Sequence, residues 1–210
     1  MNTSLINYYF PNLSDKQCDI LNNLETFYSE WNSRINLISR KDMDHFMLHH
    51  VLHSLTLTRF MSFIPGSTIL DLGTGGGFPG IPLSVFYPQV QFHLIDGTGK
   101  KIKVVKAAIE QFGLENVIAE AIRIEDLDAR FDYITARAVT ELSQLIKLTR
   151  RQINSKNKNA RPNGLIAYKG YPLREESGAV QKVPHEIFRI STQFKESYFE
   201  EKCIVYVPMY

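Results

Sequence analysis

The amino-acid sequence predicts an α/β protein with a doubly wound, mostly parallel sheet and an N-terminal helical extension. From residue 67 onward, short β-rich runs alternate with segments of helical period, a pattern typical of a parallel sheet covered by helices. A glycine-dense turn follows the first of these strands, and an acid ends the second. The 210 residues suffice for a sizeable core. We expect a helical extension over 1–66 and a sheet domain over 67–210, packed as one compact unit.

The elements follow in order along the chain. Ser14 and Gln17 form a capping-box pattern, and apolar residues then recur at helical spacing. A second helix is predicted from near Asp42 to Phe60, and a Pro-Gly turn closes the extension. The predicted strands are 68–71, 90–96, 116–121, 131–136, 165–169, 186–191 and 202–207, and the predicted helices between them are 79–86, 100–112, 141–150 and 173–182. We interpret the polar segment 154–163 as a mobile loop.

The glycine-dense turn is suited to close approach by a ligand. The apolar strand ends in Asp71, and three alternating glycines follow it: Gly73, Gly75 and Gly77. Glycine permits positive φ and a close backbone approach, and Pro79 suits the first turn of a helix. In the dinucleotide fingerprint G-x-G-x-x-G, the third glycine would stand where this chain has Phe78. The pattern acid-x-G-x-G-x-G instead resembles the nucleoside-binding loop of S-adenosylmethionine-dependent methyltransferases.

Two acids are candidates for holding polar groups of such a ligand. Asp71 stands at the end of the first strand, where it is expected to hold the ammonium of the methionine moiety, directly or through water. Asp96 ends the run VQFHLID. It follows the glycines by about 20 residues, where nucleoside-binding α/β folds place the acid that accepts hydrogen bonds from ribose hydroxyls. The alternative for Asp96 is a cap on the following helix.

Basic residues are concentrated in one part of the chain. The formal net charge is only +2, yet residues 142–174 contain no acid. Segregation on this scale favours a polyanionic partner such as nucleic acid, with a solvated surface as the alternative. The cations of this stretch that are expected to bind RNA are Arg150, Arg151, Lys156, Lys158, Arg161 and Lys169. A second basic run, at the start of the helix after Asp96, adds Lys100 and Lys101.

Other residue types narrow the class of protein. Two cysteines are too few for a disulfide framework and fit a reducing compartment. We recognise no secretory signal and no apolar stretch of transmembrane length, so we expect a cytoplasmic monomer without a membrane partner. His45, His49 and His53 recur every four residues, with His50 beside them. No HExxH motif accompanies them, and we expect no metal there.

Several motifs resemble those of one known family. The stretch DLGTGGGFPGIPL at 71–83 is very similar to its signature. Similar motifs over about residues 20–175 are Trp31-Asn32, Asn36-Leu37, Asp96 with Lys100-Lys101, GLENV at 113–117, RIED at 123–126, Ala136-Arg137-Ala138 and Tyr168-Lys169-Gly170. The family is the bacterial small-subunit rRNA guanine-N7 methyltransferases, also called glucose-inhibited division protein B. The chain departs from it at His53, Gly97 and Ala136, where the family usually has Asp, Ser and Ser.

The resemblance implies a Rossmann-like class I methyltransferase that uses S-adenosylmethionine to modify N7 of a guanine in the 16S rRNA of the small ribosomal subunit. It implies that Gly73 and Phe78 line the cofactor pocket, that Ile124 and Glu125 face the adenine, and that Arg137 lies at the cofactor or the incoming base. Because N7 has a lone pair and no proton, we expect alignment of the reactants and no catalytic base. The alternatives are an NAD-binding oxidoreductase and a non-catalytic RNA-binding or ribosome-assembly factor.

Overall fold

A central sheet organises the computed structural model, which describes residues 4–35, 37–173 and 183–209. Its strands are β1 (Thr68–Leu72), β2 (Gln91–Ile95), β3 (Val117–Glu120), β4 (Tyr133–Arg137), β5 (Gly164–Gly170), β6 (Glu186–Arg189) and β7 (Lys202–Pro208). Their spatial order is β3-β2-β1-β4-β5-β7-β6. The first five strands are parallel, whereas β7 runs antiparallel to β5 and β6. The predicted fold class and each predicted strand are confirmed.

The helices cover the sheet and form the N-terminal extension. They are α1 (Leu5–Tyr9), α2 (Asp15–Asn32), α3 (Arg40–Met43), α4 (His53–Leu55), α5 (Gly80–Phe86), α6 (Gly99–Phe112) and α7 (Leu142–Thr149). The capping box that starts α2 is confirmed, because Ser14 Oγ accepts from the Gln17 N–H and Gln17 Oε1 accepts from the Ser14 N–H. The helix predicted at 173–182 falls almost wholly outside the described residues. Among those residues, no helix has the length and apolar character needed to cross a membrane.

The prediction of one regular helix from Asp42 to Phe60 is wrong. After α3, the chain forms a π-helix at Met47–Leu52, then α4, then a 3₁₀ turn at Thr56–Arg59. Residues 51–57 are all buried. A segment buried on every side has no apolar stripe of period 3.6, so its pattern did not distinguish a regular helix from this mixture of wide and tight turns.

The core lies on both faces of the sheet. Neighbouring residues of β1 point to opposite sides, and Ile69 and Leu70 therefore belong to different apolar clusters. The cluster around Ile69 also contains Leu24 of α2. Gln17 Nε2 adds a polar link between the extension and the sheet domain by donating to the Val85 carbonyl at 2.8 Å. The extension and the sheet domain thus share one core cluster.

The segment 154–163, predicted as a mobile loop, is hydrogen-bonded to the amino edge of the sheet. Asn159 Oδ1 accepts from the Ile64 N–H at 2.9 Å and from Ser67 Oγ at 3.1 Å. Asn163 Nδ2 donates to two carbonyls of the same segment. Asparagine is common in mobile loops, but here its amide groups satisfy local backbone groups.

Candidate active site

The glycine turn leaves β1 at the carboxyl edge of the sheet with the backbone that its sequence predicts. Gly73, Gly75 and Gly77 have φ of +65°, +58° and +96°. A Cβ at Gly77 would lie 2.7 Å from Ile81 Cγ1 and 3.1 Å from Tyr28 Oη. Glycine at 77 is therefore required both by the left-handed backbone and by the packing around it.

Asp71 is buried beneath this turn. Its Oδ2 accepts from Thr74 Oγ1 at 2.6 Å and from the Gly80 N–H at 3.0 Å, and its Oδ1 accepts from Thr135 Oγ1 at 2.9 Å. Burial raises the pKa of this carboxyl to about 6, and the three hydrogen bonds oppose the shift. The exposed fraction of Asp71 is 0%, and its hydrogen bonds join the end of β1 to the start of α5. Its expected contact with the ammonium group, directly or through water, stays a prediction.

Asp96 links the glycine turn to the following helix. Its Oδ2 accepts from the Gly75 N–H at 3.0 Å, and its Oδ1 accepts from the Thr98 N–H at 2.8 Å. Lys101 Nζ lies 3.6 Å from Oδ2. Each oxygen of a carboxylate has two lone pairs, so both retain capacity for one more donor. The side chain is 8% exposed, at the surface between the two loops.

Phe78 packs into the protein beside the glycine turn, and its expected place in the cofactor pocket stays a prediction. Its exposed fraction is 4%, and its ring centroid lies 4.9 Å from that of Tyr28 and 5.1 Å from that of His50. Tyr28 also donates its hydroxyl to the Gly76 carbonyl at 2.5 Å. The glycine turn is thus held from below by aromatic residues of the N-terminal extension.

A short turn after β3 lies next to the loop that follows β2. Residues Ile124–Asp126 form a 3₁₀ turn in which Ile124 is buried and Glu125 is exposed. A Cβ at Gly97 would lie 4.0 Å from Arg123 Cγ, which places the start of this turn beside Asp96. The candidate residues from β1, β2 and β3 therefore gather at one edge of the sheet, as expected for ligand sites in open α/β folds.

Arg137, the last residue of β4, is anchored by the histidine-containing segment. Its Nη1 donates to the His49 carbonyl at 3.1 Å, and its Nη2 lies 3.1 Å from His50 Nδ1. Burial lowers the pKa of His50 to about 3, and the charge of Arg137 adds to the shift. His50 is therefore neutral at pH 7 and accepts at Nδ1. The spacing of the histidines did not indicate this role, because their partner lies almost 90 residues away along the chain.

A cavity of about 680 Å³ opens beyond Arg137, at the ends of β4 and β5. We call it the histidine-lined cavity. It is bounded by Asp42, His49, His50, His53, residues 137–141, residues 168–170, Tyr198 and Lys202. A Cβ at Gly73 would lie 2.8 Å from Val139 Cγ2, so Val139 separates the glycine turn from this cavity. Among the residues described, no group of three or more His, Cys, Asp or Glu side chains is arranged to hold a metal ion.

The structure separates the predicted RNA-binding cations into two groups. Lys100 and Lys101 lie in the first turn of α6, and Lys169 of β5 lines the cavity, so these three share the edge of the glycine turn. The second group lies toward the amino edge: Arg150, Arg151, Lys156, Lys158 and Arg161. Lys158 Nζ lies 3.0 Å from the buried Asp132 Oδ2, and Arg161 pairs with Glu186. At about 3.3 Å per residue, the length of β1 alone separates the groups by about 16 Å.

The fold is that of class I S-adenosylmethionine-dependent methyltransferases. A precorrin-6y C5,15-methyltransferase from Geobacter metallireducens superposes with a TM-score of 0.55 over 84% of this chain and 92% of its own, at 13% identity. An S-adenosylmethionine-dependent methyltransferase from Aquifex aeolicus gives a TM-score of 0.53 over 73% and 88% of the two chains, at 14% identity. At such low identity, the likeness shows the fold alone.

The chain belongs to the rRNA small subunit methyltransferase G family, whose model matches residues 17–197. A ribosomal RNA small subunit methyltransferase G from Porphyromonas gingivalis is 46% identical, over 99% of this chain and 94% of the relative. The protein of that name from Christiangramia forsetii is 44% identical, over 100% and 98%. The chain is therefore an S-adenosylmethionine-dependent methyltransferase. The resemblance seen in the motifs is confirmed, and nothing in these comparisons supports an NAD-binding oxidoreductase.

Proposed function

We propose that this chain transfers a methyl group from S-adenosylmethionine to N7 of a guanine in the 16S rRNA of the small ribosomal subunit. The family match supports the rRNA substrate, and the motif resemblance supports the guanine N7 position. The observation that carries the assignment to this site is the hydrogen bond from the Gly75 N–H to Asp96 Oδ2 at 3.0 Å. It holds the glycine turn and the candidate ribose acid together at the carboxyl edge of the sheet.

The residues at this edge fit the cofactor. We propose that Asp96 accepts hydrogen bonds from the ribose hydroxyls with the lone pairs that its two backbone donors leave free. The turn of Gly73, Gly75 and Gly77 would present its backbone to the ligand, and Gly75 would permit the closest approach, because a Cβ there meets only the Gly73 carbonyl at 4.0 Å. Ile124 would cover the adenine, and the neighbouring Glu125 would accept from its amino group. Asp71 and Phe78 would act indirectly, by fixing the shape of the turn.

The chemistry needs alignment more than proton transfer. S-adenosylmethionine supplies a methyl group on a sulfonium, and N7 of guanine attacks through a free lone pair. No residue has to remove a proton first, so the protein contributes by positioning the two reactants. We propose that Arg137 orients the incoming base or the cofactor, because it stands between the glycine turn and the histidine-lined cavity with both ends of its guanidinium anchored.

The RNA is proposed to contact the carboxyl edge through Lys100, Lys101 and Lys169. The cations at the amino edge would form a second, separate contact, principally through Arg150, Arg151 and Lys156, because Lys158 and Arg161 are already paired with carboxylates. Glutamine substitution of Arg150, Arg151 and Lys156 together should reduce the salt dependence of RNA binding and leave cofactor affinity intact. An unaltered salt slope would argue against this second contact.

We also propose that the protein is a cytoplasmic monomer. Sedimentation measurements would test its oligomeric state.

Methyl transfer to unmodified small subunits tests the function. With labelled S-adenosylmethionine, we expect incorporation into 16S rRNA and recovery of 7-methylguanosine when the digested nucleosides are analysed by mass spectrometry. Incorporation at another atom or base would overturn the N7 assignment. An absence of incorporation, with cofactor and RNA both bound, would favour the non-catalytic assembly factor.

Substitution of Asp96 tests the cofactor site. We expect Asp96→Ala to weaken S-adenosylmethionine binding by about 1–3 kcal/mol, the value of one or more hydrogen bonds to a charged group. Isothermal titration calorimetry measures the affinity, and circular dichroism checks the fold. Glu125→Gln is the milder comparison, since an amide oxygen still accepts from the adenine amino group. Unchanged affinity in a folded Asp96→Ala variant would refute the assignment.

A further inference from the structure

The histidine-lined cavity is adjacent to the candidate cofactor region, and Arg137 belongs to both. The other candidate cofactor residues lie at the ends of β1 and β2 and after β3, whereas the cavity lies at the ends of β4 and β5, with Val139 between the two. Its volume of about 680 Å³ falls within the usual range for small-molecule pockets, which is about 300–1,000 Å³. A second reactant bound in this cavity would therefore lie beside a cofactor bound over the glycine turn.

The charge of the cavity favours a negatively charged occupant. Arg137, Lys169 and Lys202 line it, against the carboxylates of Asp42 and Glu141. Arg137 is held by the histidine segment, and Lys169 donates to the Thr140 carbonyl at 2.7 Å. The ammonium of Lys202 lies 5.1 Å from the ring centroid of Tyr198, and within the described part of the chain it makes no ion pair. Lys202 is thus a cation without a neutralising carboxylate, in contact with an aromatic ring.

Tyr198 has a well-defined orientation at the cavity wall. Its ring stacks on that of His49, with centroids 4.1 Å apart and planes 18° apart. Its hydroxyl lies 3.1 Å from His53 Nδ1. His53 is itself buried, so this contact holds the tyrosine against the core. Tyr198 and Lys202 both lie beyond residues 17–197, the part that the family model matches.

We propose that Tyr198 and Lys202 form the RNA-binding wall of the histidine-lined cavity, where they position the nucleotide strand that carries the acceptor guanine. Lys202 binds a backbone phosphate of that strand, and Tyr198 supplies the aromatic surface beside which the nucleotide lies. Aromatic rings and lysines are the usual combination for single-stranded nucleic acid. This inference rests on the proposed function, because it takes RNA as the substrate. It adds a site formed by the first residue of β7 and by the 3₁₀ turn Ser197–Phe199 that precedes this strand.

The test compares Lys202→Gln with Lys195→Gln, a matched loss of charge at an exposed residue that does not line the cavity. Binding of an unmodified 16S rRNA transcript is measured by fluorescence anisotropy at several salt concentrations. We expect Lys202→Gln to weaken binding about five- to tenfold and to lower the slope of log K against log salt by about 0.7–0.9, the value for one phosphate contact. Lys195→Gln should change neither quantity. Equal slopes for the two variants would overturn the proposal.

Substitution of Tyr198 separates a positioning role from a purely structural one. Tyr198→Phe keeps the ring and should retain RNA affinity within about twofold, whereas Tyr198→Leu should raise KM for small subunits about tenfold with an unchanged S-adenosylmethionine Kd. A rise in KM with an altered cofactor Kd would indicate a disturbed fold and would contradict the proposal. Failure of the proposed function would appear differently, as an absence of methyl transfer by the unmodified chain, while the RNA-binding comparison would still decide the role of Lys202.

Discussion

Replacement of Asp71 by asparagine separates two roles that a buried acid beside a cofactor loop can have. An asparagine has the same shape, and its amide oxygen can accept from Thr74 Oγ1 and the Gly80 N–H in place of Oδ2. Its amide nitrogen would then face Thr135 Oγ1, whose hydroxyl can accept while it donates to the Leu70 carbonyl, 3.4 Å away. The Asp71→Asn variant therefore retains the hydrogen bonds at the base of the turn and loses the negative charge.

The expected size of the effect follows from the raised pKa of Asp71. A carboxyl whose pKa is about 6 in the folded protein, against an ordinary value of 3.8, binds a proton more readily when folded than when unfolded. Its contribution to stability is therefore full at low pH and is lost as the pH rises through this range. The complete loss amounts to about 3 kcal/mol, of which about 2 kcal/mol falls between pH 4 and pH 7. Asp71→Asn removes this titration.

The assay is urea unfolding of both proteins from pH 4 to pH 7, together with calorimetric titration of S-adenosylmethionine. The free energy of unfolding of Asp71→Asn minus that of the unsubstituted chain should rise by about 2 kcal/mol over this range. Cofactor affinity should stay within a few-fold, because the carboxyl is covered by its own loop. A loss of cofactor affinity above tenfold in the folded variant would refute this and restore direct contact with the ammonium. As a comparison, Asp71→Ala should lower the free energy of unfolding by several kcal/mol, because it leaves buried donors without an acceptor.

Two further substitutions test the surroundings of the site. Gly77→Ala should destabilise the protein by about 2–4 kcal/mol in thermal or urea unfolding, since it combines a left-handed backbone with a Cβ 2.7 Å from Ile81 Cγ1. The control is Gly99→Ala, where a Cβ meets nothing within 4 Å, and it should be neutral or stabilising. Equal losses of stability in the two variants would contradict the packing argument. The lowered pKa of His50 means that the unfolded chain takes up a proton first as the pH falls below 6.5, so stability declines from there toward pH 3. Between pH 7.5 and pH 5, the free energy of unfolding of His50→Gln should therefore fall by about 2 kcal/mol less than that of the unsubstituted chain. Parallel curves of stability against pH would show that His50 is not buried in its neutral form.

The sequence predicted the sheet well because the relevant information is local. Each strand is a short apolar run between turn residues, and each alternating glycine proved to have positive φ. The position of Asp96 after β2 was also predictable, because spacing in a βαβ unit places that acid at the carboxyl edge. These inferences need only the period of the pattern and the conformational freedom of glycine.

The parts that sequence reasoning missed depend on contacts between distant residues. Asp71 is bonded to Thr135 on a neighbouring strand, and Phe78 is covered by Tyr28 of α2 and by His50 of the π-helix. The histidine-lined cavity combines residues from near position 50 with Tyr198 and Lys202. Charge counting along the chain likewise grouped cations that the fold separates, since α7 carries the chain from one edge of the sheet toward the other.

The hydrogen bond from the Tyr28 hydroxyl to the Gly76 carbonyl couples α2 to the glycine turn. Any ligand that rigidifies the glycine turn must also restrict the tyrosine beneath it, and through that tyrosine the helix that carries it. Binding free energy gained at the carboxyl edge of the sheet should therefore appear as slower amide hydrogen exchange in α2, although no residue of α2 is among the candidate cofactor contacts. Slower exchange in α2 would then report that the cofactor is bound at the glycine turn.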